Sequence, residues 1–196
     1  REAVFIDRVL QPLLRDFPAL KVVFEHITTA QAVAFVRARG PRLAATITVH
    51  HLMIARNAMF QGGIRPHLYC LPVAKREQHR LALREAATSG EACFFLGTDS
   101  APHSIQAKES ACGCAGIYSA PAAIELYAQV FDEEHALDKL EAFASRNGPG
   151  FYGLPVNDGT LTLKRREWTV PETFPVDGAT AIVPFRAGET VPWMFD

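Results

Sequence analysis

The chain has 196 residues, 48% of them apolar, with 20 Lys plus Arg against 21 Asp plus Glu. That length and apolar content suffice for a sizeable core, and the balanced charge offers no basic surface of the kind that nucleic acid or anionic membrane attracts. No apolar run approaches the ~20 residues of a membrane-spanning helix, no signal peptide opens the sequence, and four cysteines without paired metal-ligand spacing read as reduced thiols of a cytoplasmic protein.

The first residue is Arg1, and the stretch from Glu2 to Leu14 already has helical apolar spacing through Val4, Phe5, Val9, Leu10, Leu13 and Leu14. The expectation is a chain that lacks its natural start. Leu20 to His26 is a short β-branched run ending in polar groups, the pattern of a buried strand. Thr29 is placed to cap a helix over Ala30 to Arg39, with Ala32, Val33 and Val36 on its apolar side and Gly40-Pro41 as its stop. Leu43 to Thr48 is a second strand. A turn or helix follows from His51 to Phe60 and is broken at Gly62-Gly63.

Ile64 to Leu71 is expected to hold a third, shorter strand ended by Pro72. Lys75 to Ser89 is a helix closed by Gly90, and Ala92 to Gly97 is a fourth strand. A polar loop runs from Thr98 to Tyr118, followed by helices over Pro121 to Phe131 and Glu134 to Ser145. Beyond Asn147 the segments starting at Leu161, Glu167 and Ala181 read as short extended pieces packing against the last helices. The class is α/β in a single domain, residues 1–196. About four βα units form a parallel sheet, short of the eight that close a barrel, with an extended C-terminal tail.

In such folds chemistry sits at the C-terminal ends of the strands. The first strand ends in Glu25-His26, the second runs into His50-His51, and the fourth ends in Gly97-Thr-Asp99 with His103 four residues on. Imidazole and carboxylate are the usual ligands of catalytic zinc, and the carboxylate can also take the proton of a metal-bound water. Each residue also has a plainer reading. His26 is as well placed to be a satisfied structural histidine, Asp99 to cap the next turn, and His50 and His51 to lie on the surface. His67 and His79 read as structural or solvated, and His135 as solvated. The residues alone reach a metal-assisted hydrolase.

Several stretches carry a more specific signal: Lys21-Val-Val-Phe-Glu-His-Ile-Thr-Thr29, Gly63-Ile-Arg-Pro-His-Leu-Tyr-Cys-Leu-Pro72 and Phe95-Leu-Gly-Thr-Asp-Ser-Ala-Pro-His103. Lys108-Glu-Ser110, Cys112-Gly-Cys-Ala-Gly116 and Phe151-Tyr-Gly-Leu-Pro-Val-Asn157 follow in order. Together they resemble the bacterial single-function dihydroorotases of the amidohydrolase superfamily, over essentially the whole chain. The resemblance implies the C-terminal part of a (β/α)8 barrel with two zinc ions bridged by a carboxylated lysine. It also implies reversible cyclisation of N-carbamoyl-L-aspartate to (S)-dihydroorotate in pyrimidine synthesis, by a homodimer.

By position, the resemblance makes His26 a ligand of one zinc and Asp99 a ligand of the other and the proton shuttle. It gives His103 the substrate carboxylate, and the backbones of Leu71 and Ala115 the substrate ring. The family's His-x-His pair is absent from this chain, and its carboxylated lysine, next histidine ligand and substrate-binding arginine and asparagine precede the matched region. Lys21, at the wrong end of its strand, is no substitute. Two alternatives stand beside this reading: another cyclic amidase of hydantoinase type, and an inactive dihydroorotase-like subunit.

Overall fold

The computed structural model describes residues 1–196. The chain opens with a helical run made of α1 (Glu2–Phe5), a π-helical turn (Ile6–Leu10) and α2 (Gln11–Asp16). Ile6 and Leu10 are its buried residues, whereas Val4, Phe5 and Val9, expected on the apolar side, stay about half exposed. The π turn adds a residue to one helical repeat and so rotates the apolar stripe away from the expected 3.6-residue spacing.

Three short strands follow: β1 (Val22–Phe24), β2 (Leu43–Ile47) and β3 (Phe94–Leu96). They form one parallel sheet in the order β1-β2-β3, with Val22 opposite Leu43 and Ala45 opposite Phe94. Every residue of β2 is buried, which is why that strand reads as a continuous apolar run rather than an alternating one. The helix α3 (Ala30–Arg37) connects β1 to β2 and buries Ala32, Val33 and Val36, as its spacing predicts. Between β2 and β3 the chain runs through α4 (Val49–Met53) and α5 (Glu77–Thr88).

The strand expected over Ile64 to Leu71 does not form. A single 3-10 turn (Pro66–Leu68) stands there instead, so the parallel strands number three rather than four. Pro66 and Pro72 remove two backbone donors from the segment. The Tyr69 carbonyl is then taken by the Gly116 N–H at 2.9 Å instead of by a strand.

After β3 come α6 (Ile105–Lys108), α7 (Ala123–Glu133) and α8 (Asn147–Tyr152). The helix expected over Glu134 to Ser145 is broken into a 3-10 turn (Leu137–Lys139) and a π turn (Ala142–Arg146). The tail is extended as expected. Its β4 (Leu163–Thr169) pairs antiparallel with β7 (Thr190–Phe195), a strand the sequence pattern did not mark, and β5 (Phe174–Pro175) pairs with β6 (Ala181–Ile182). β7 packs on α7, and Arg165 of β4 pairs with Asp132 of that helix at 2.7 Å.

The core lies between the sheet and α3, α5 and α7. Tyr127 of α7 is fully buried, and its hydroxyl donates to the Ile47 carbonyl at 2.6 Å, fixing the helix to the end of β2. Gly97, one residue past β3, packs so closely on Thr46 that a Cβ there would lie 2.6 Å from the threonine Cβ. Gly97→Ala is therefore expected to destabilise the protein by roughly 1–3 kcal/mol, the usual range for overpacking a tight core. Urea denaturation checks this, and an unchanged midpoint would contradict it.

Candidate active site at the strand ends

Thr46 organises the ends of β1 and β3. Its hydroxyl accepts the His26 N–H at 2.7 Å, its carbonyl accepts the Ile27 N–H at 3.1 Å, and its side chain fills the space left by Gly97. His26 and Asp99 thus leave their strands on either side of the buried β2. Both adopt left-handed backbone conformations, each with φ of 43°. Such values are uncommon outside glycine, although Asp and His tolerate them better than most residues, and they concentrate where surrounding structure forces a side chain into a site.

The loop after His26 is held by a carboxylate. Glu2 accepts the Thr28 N–H at 2.9 Å, the Thr28 hydroxyl at 2.6 Å and the Thr29 hydroxyl at 2.5 Å. Thr29 in turn caps α3 through the Ala32 N–H, as expected. His79 is structural: its Nδ1 accepts the Ala30 N–H at 3.1 Å. Lys21 lies at the opposite end of β1, where its ammonium donates to the Phe151 carbonyl at 2.7 Å.

The structural reading of His26 fails at one atom, because its Nδ1 is buried with no hydrogen-bond partner. The capping reading of Asp99 fails as well. Burial raises its carboxyl above the ordinary aspartate range, the His26 charge opposes that shift and the Glu25 charge adds to it, with no hydrogen bond contributing. A buried imidazole nitrogen without a partner, electrostatically coupled to a carboxylate that caps nothing, suits the donor set of a divalent metal. His26 and Leu71 line one cleft of about 600 Å³, together with Glu2, Phe24, Arg56 and Lys75. A larger open hollow of about 970 Å³, around Arg80 and Arg186, contains none of these strand-end residues.

His103 and Ala115 meet directly, the imidazole Nε2 lying 3.1 Å from the Ala115 carbonyl. Gly116 makes this approach possible, since a Cβ there would sit 2.8 Å from the His103 ring and 2.6 Å from the Ala101 carbonyl oxygen. The glycine thus makes room for the His103 segment of the protein itself. One residue that sequence reasoning missed is Lys108, buried in the Lys-Glu-Ser stretch, whose ammonium donates to the carbonyls of Tyr69, Cys114 and Gly116. Nothing in a sequence distinguishes such a lysine from an exposed one.

His50 and His51 are not surface residues. Both are buried behind the strand ends, because Thr48 caps α4 and turns them inward. Donor atoms of His50, His51 and Cys70 come within 4.8 Å of one another. The His51 ring, however, is engaged at both nitrogens, 2.7 Å from the Thr48 hydroxyl and 2.8 Å from the Pro72 carbonyl. Burial also pushes the Cys70 thiol up to about 11. An ion there would have to displace these bonds and remove the thiol proton. His51 and Cys70 read more simply as a joint between β2 and the Leu71-Pro72 segment, whereas both ring nitrogens of His50 are buried without a partner. All four cysteines are free. His67 pairs with Glu109 at 3.0 Å, and His135 is exposed.

Three parallel strands with α3 and α5 as connections, and an imidazole and a carboxylate at the ends of the two outer strands, form a βα arrangement with reactive groups at its strand ends, and solved dihydroorotases match it as part of an amidohydrolase-type barrel. No family model matches the chain. Its sequence is 64% identical over 193 residues to the dihydroorotase of Azoarcus sp. (strain BH72) and 66% identical over 193 residues to that of Variovorax paradoxus (strain S110). Each match covers 98% of this chain and 56% of the relative.

Among solved structures, a dihydroorotase from Campylobacter jejuni superposes with a TM-score of 0.90 at 36% identity, covering 100% of this chain and 57% of that one. The dihydroorotase of Saccharomyces cerevisiae, in complex with 5-fluoroorotic acid, gives 0.87 at 36% identity, covering 95% and 54%. An L-hydantoinase from Arthrobacter aurescens, covering 99% of this chain and 47% of its own, shares the fold at a TM-score of 0.75 with only 16% identity. The chain matches the C-terminal portion of the dihydroorotases, and spans about half the length of the curated relatives it matches.

The buried histidines give stability a pH dependence with a definite sign. Burial holds His51 down to about 4 from an ordinary 6.5, and burial together with the charges of His51 and His26 holds His50 well below the same value. Between those limits the unfolded chain binds more protons than the folded one. This contribution is fully present above pH 6.5 and is lost as pH falls toward 4. Urea midpoints measured across that interval should fall steadily, and a flat profile would contradict the burial of both rings.

Proposed function

We propose that this chain supplies part of the active site of a cytoplasmic dihydroorotase. The reaction interconverts N-carbamoyl-L-aspartate with (S)-dihydroorotate plus water in pyrimidine (UMP) biosynthesis. One observation carries the reading. His26, with a buried unpartnered Nδ1, and Asp99, with a carboxyl free of caps, follow the two strands that flank β2 in a chain that matches dihydroorotases over 98% of its length. The yeast structure is a complex with 5-fluoroorotic acid, and a carboxylic acid is the kind of ligand that a ring N–H of a histidine such as His103 can hydrogen-bond.

His26 and Asp99 would each hold one of two zinc ions, the remaining ligands, including a carboxylated lysine, coming from residues outside this chain. Bound zinc supplies Lewis acidity and lowers the pKa of water. In the hydrolytic direction the ring amide C–N bond breaks as a C–O bond to water forms. Asp99 takes the proton of the attacking water and delivers it to the departing amide nitrogen. The synthetic direction uses the same groups in reverse.

His103 keeps Nε2 on the Ala115 carbonyl, which leaves Nδ1 for the substrate carboxylate and sets the ring's orientation. The Leu71 and Ala115 N–H groups donate to no other group of the protein and are available to the ring's polar edge. A homodimer is the assembly this reading carries with it, and sedimentation of the full-length protein checks it.

In the full-length protein, Asp99→Asn should retain the fold and lose about 10²–10⁴-fold in turnover, the usual weight of a positioned acid–base group. Near-parental turnover would remove Asp99 from the proton transfer. His103→Ala should raise KM for both dihydroorotate and N-carbamoyl-L-aspartate while metal content stays constant, and unchanged KM values would exclude a carboxylate contact. Comparison with dihydrouracil, which lacks the carboxylate, distinguishes this activity from that of a hydantoinase-type enzyme.

A further inference from the structure

Lys108 ends the four-residue helix α6 and is only 3% exposed. An ammonium so placed needs compensation, since burial disfavours its charge. No carboxylate provides it. The three donors go instead to three backbone carbonyls: Tyr69 at 2.8 Å, Cys114 at 2.8 Å and Gly116 at 2.6 Å. The donor set is thereby filled, because an ammonium has three N–H groups and accepts nothing.

The position of those carbonyls in the chain is informative. Tyr69 stands two residues before Leu71, and Cys114 and Gly116 flank Ala115 on both sides. The two segments are 43 or more residues apart in sequence and belong to no common sheet. Besides the lysine, they are joined by the Gly116 N–H, which donates to Tyr69 at 2.9 Å. Cys114 is further tied to α6 itself through its N–H on the Ala107 carbonyl at 3.1 Å. Around this knot the Leu71 and Ala115 N–H groups are left unused by the protein.

We propose that Lys108 is a positioning residue that clamps the Leu71 segment to the Ala115 segment and so sets the spacing of their free backbone groups for a small cyclic amide. This rests on the dihydroorotase reading above, in which those two backbones face the substrate ring. The lysine touches no reacting atom. Its effect passes through the carbonyls it holds, and it reaches His103 as well, because the Ala115 carbonyl is the partner of that imidazole. Loss of the ammonium would leave the Cys114 and Gly116 carbonyls without a donor and the two segments held together by the Gly116–Tyr69 bond alone.

The test uses full-length protein loaded with zinc. The parent must first hydrolyse dihydroorotate; an inactive parent overturns the dihydroorotase reading and this proposal with it. Given an active parent, Lys108→Met retains the aliphatic stem and removes the charge. The expected result is a rise in KM for dihydroorotate of at least tenfold, a smaller change in kcat, and zinc content equal to the parent's. An unchanged KM, with or without a lower melting temperature, would mean that the lysine only supports the fold, and would overturn the proposal.

Should Lys108→Met not fold, Lys108→Arg decides. Its planar guanidinium keeps the charge but cannot match three converging carbonyls in the same way. A folded Arg variant is expected to show KM raised at least threefold with kcat retained, and a parental KM in that variant overturns the proposal.

Discussion

The end of β2 is the constraint on which the site depends. Thr46 sits at that point with its hydroxyl on the His26 backbone, its carbonyl on Ile27 and its methyl-bearing face against Gly97. A glycine on one side and a hydroxyl acceptor on the other let the two outer strands close on the central one. They also allow the chain to leave each outer strand through a left-handed residue. Those residues are the ones with reactive side chains. The geometry of the site follows from how tightly three strand ends can be brought together, and a larger residue at Gly97 or an apolar one at Thr46 would change both at once.

A second set of constraints holds the loops that face those ends. Glu2 fixes the turn after His26, His51 fixes the Pro72 segment to the end of β2, and Lys108 fixes the Tyr69 and Cys114–Gly116 segments to each other. All three are polar side chains that bond chiefly to loop groups, and none relies on a salt bridge. That choice suits loops that lack a strand partner. Their carbonyls and N–H groups would be costly to bury unsatisfied, and a side chain with several donors or acceptors satisfies a cluster of them together. The result is a set of irregular segments held in place without regular secondary structure, with the backbone groups at Leu71 and Ala115 left free.

Much of this was legible in the sequence. The runs at β1, β2 and β3, the Thr29 cap, the apolar side of α3 and the candidates His26, Asp99 and His103 all follow from local rules: strand composition, capping chemistry and the placement of reactive groups at strand ends. These are properties of a few adjacent residues, so adjacent residues reveal them. The motif order through Phe95–His103 and Cys112–Gly116 added the family, which spacing alone did not reach.

What the tertiary structure decided lies in contacts between distant segments. The Ile64–Leu71 run has the composition of a strand, but its polar groups find partners in the Gly116 loop and in Lys108, so no strand forms. His50 and His51 look like surface residues until the Thr48 cap turns them under the strand ends. The Val4, Phe5 and Val9 stripe is displaced by a π turn that no periodicity announces. The sequence by itself determined the α/β class and the three parallel strands that form, and it put forward His26 and Asp99 as candidates at their ends. Only the folded chain determined that His26 keeps a buried nitrogen without a partner, that Asp99 caps nothing, and that Lys108 is a buried clamp. The physical reason is common to all three: satisfaction of a polar group depends on what lies across the fold, and local sequence carries no record of it.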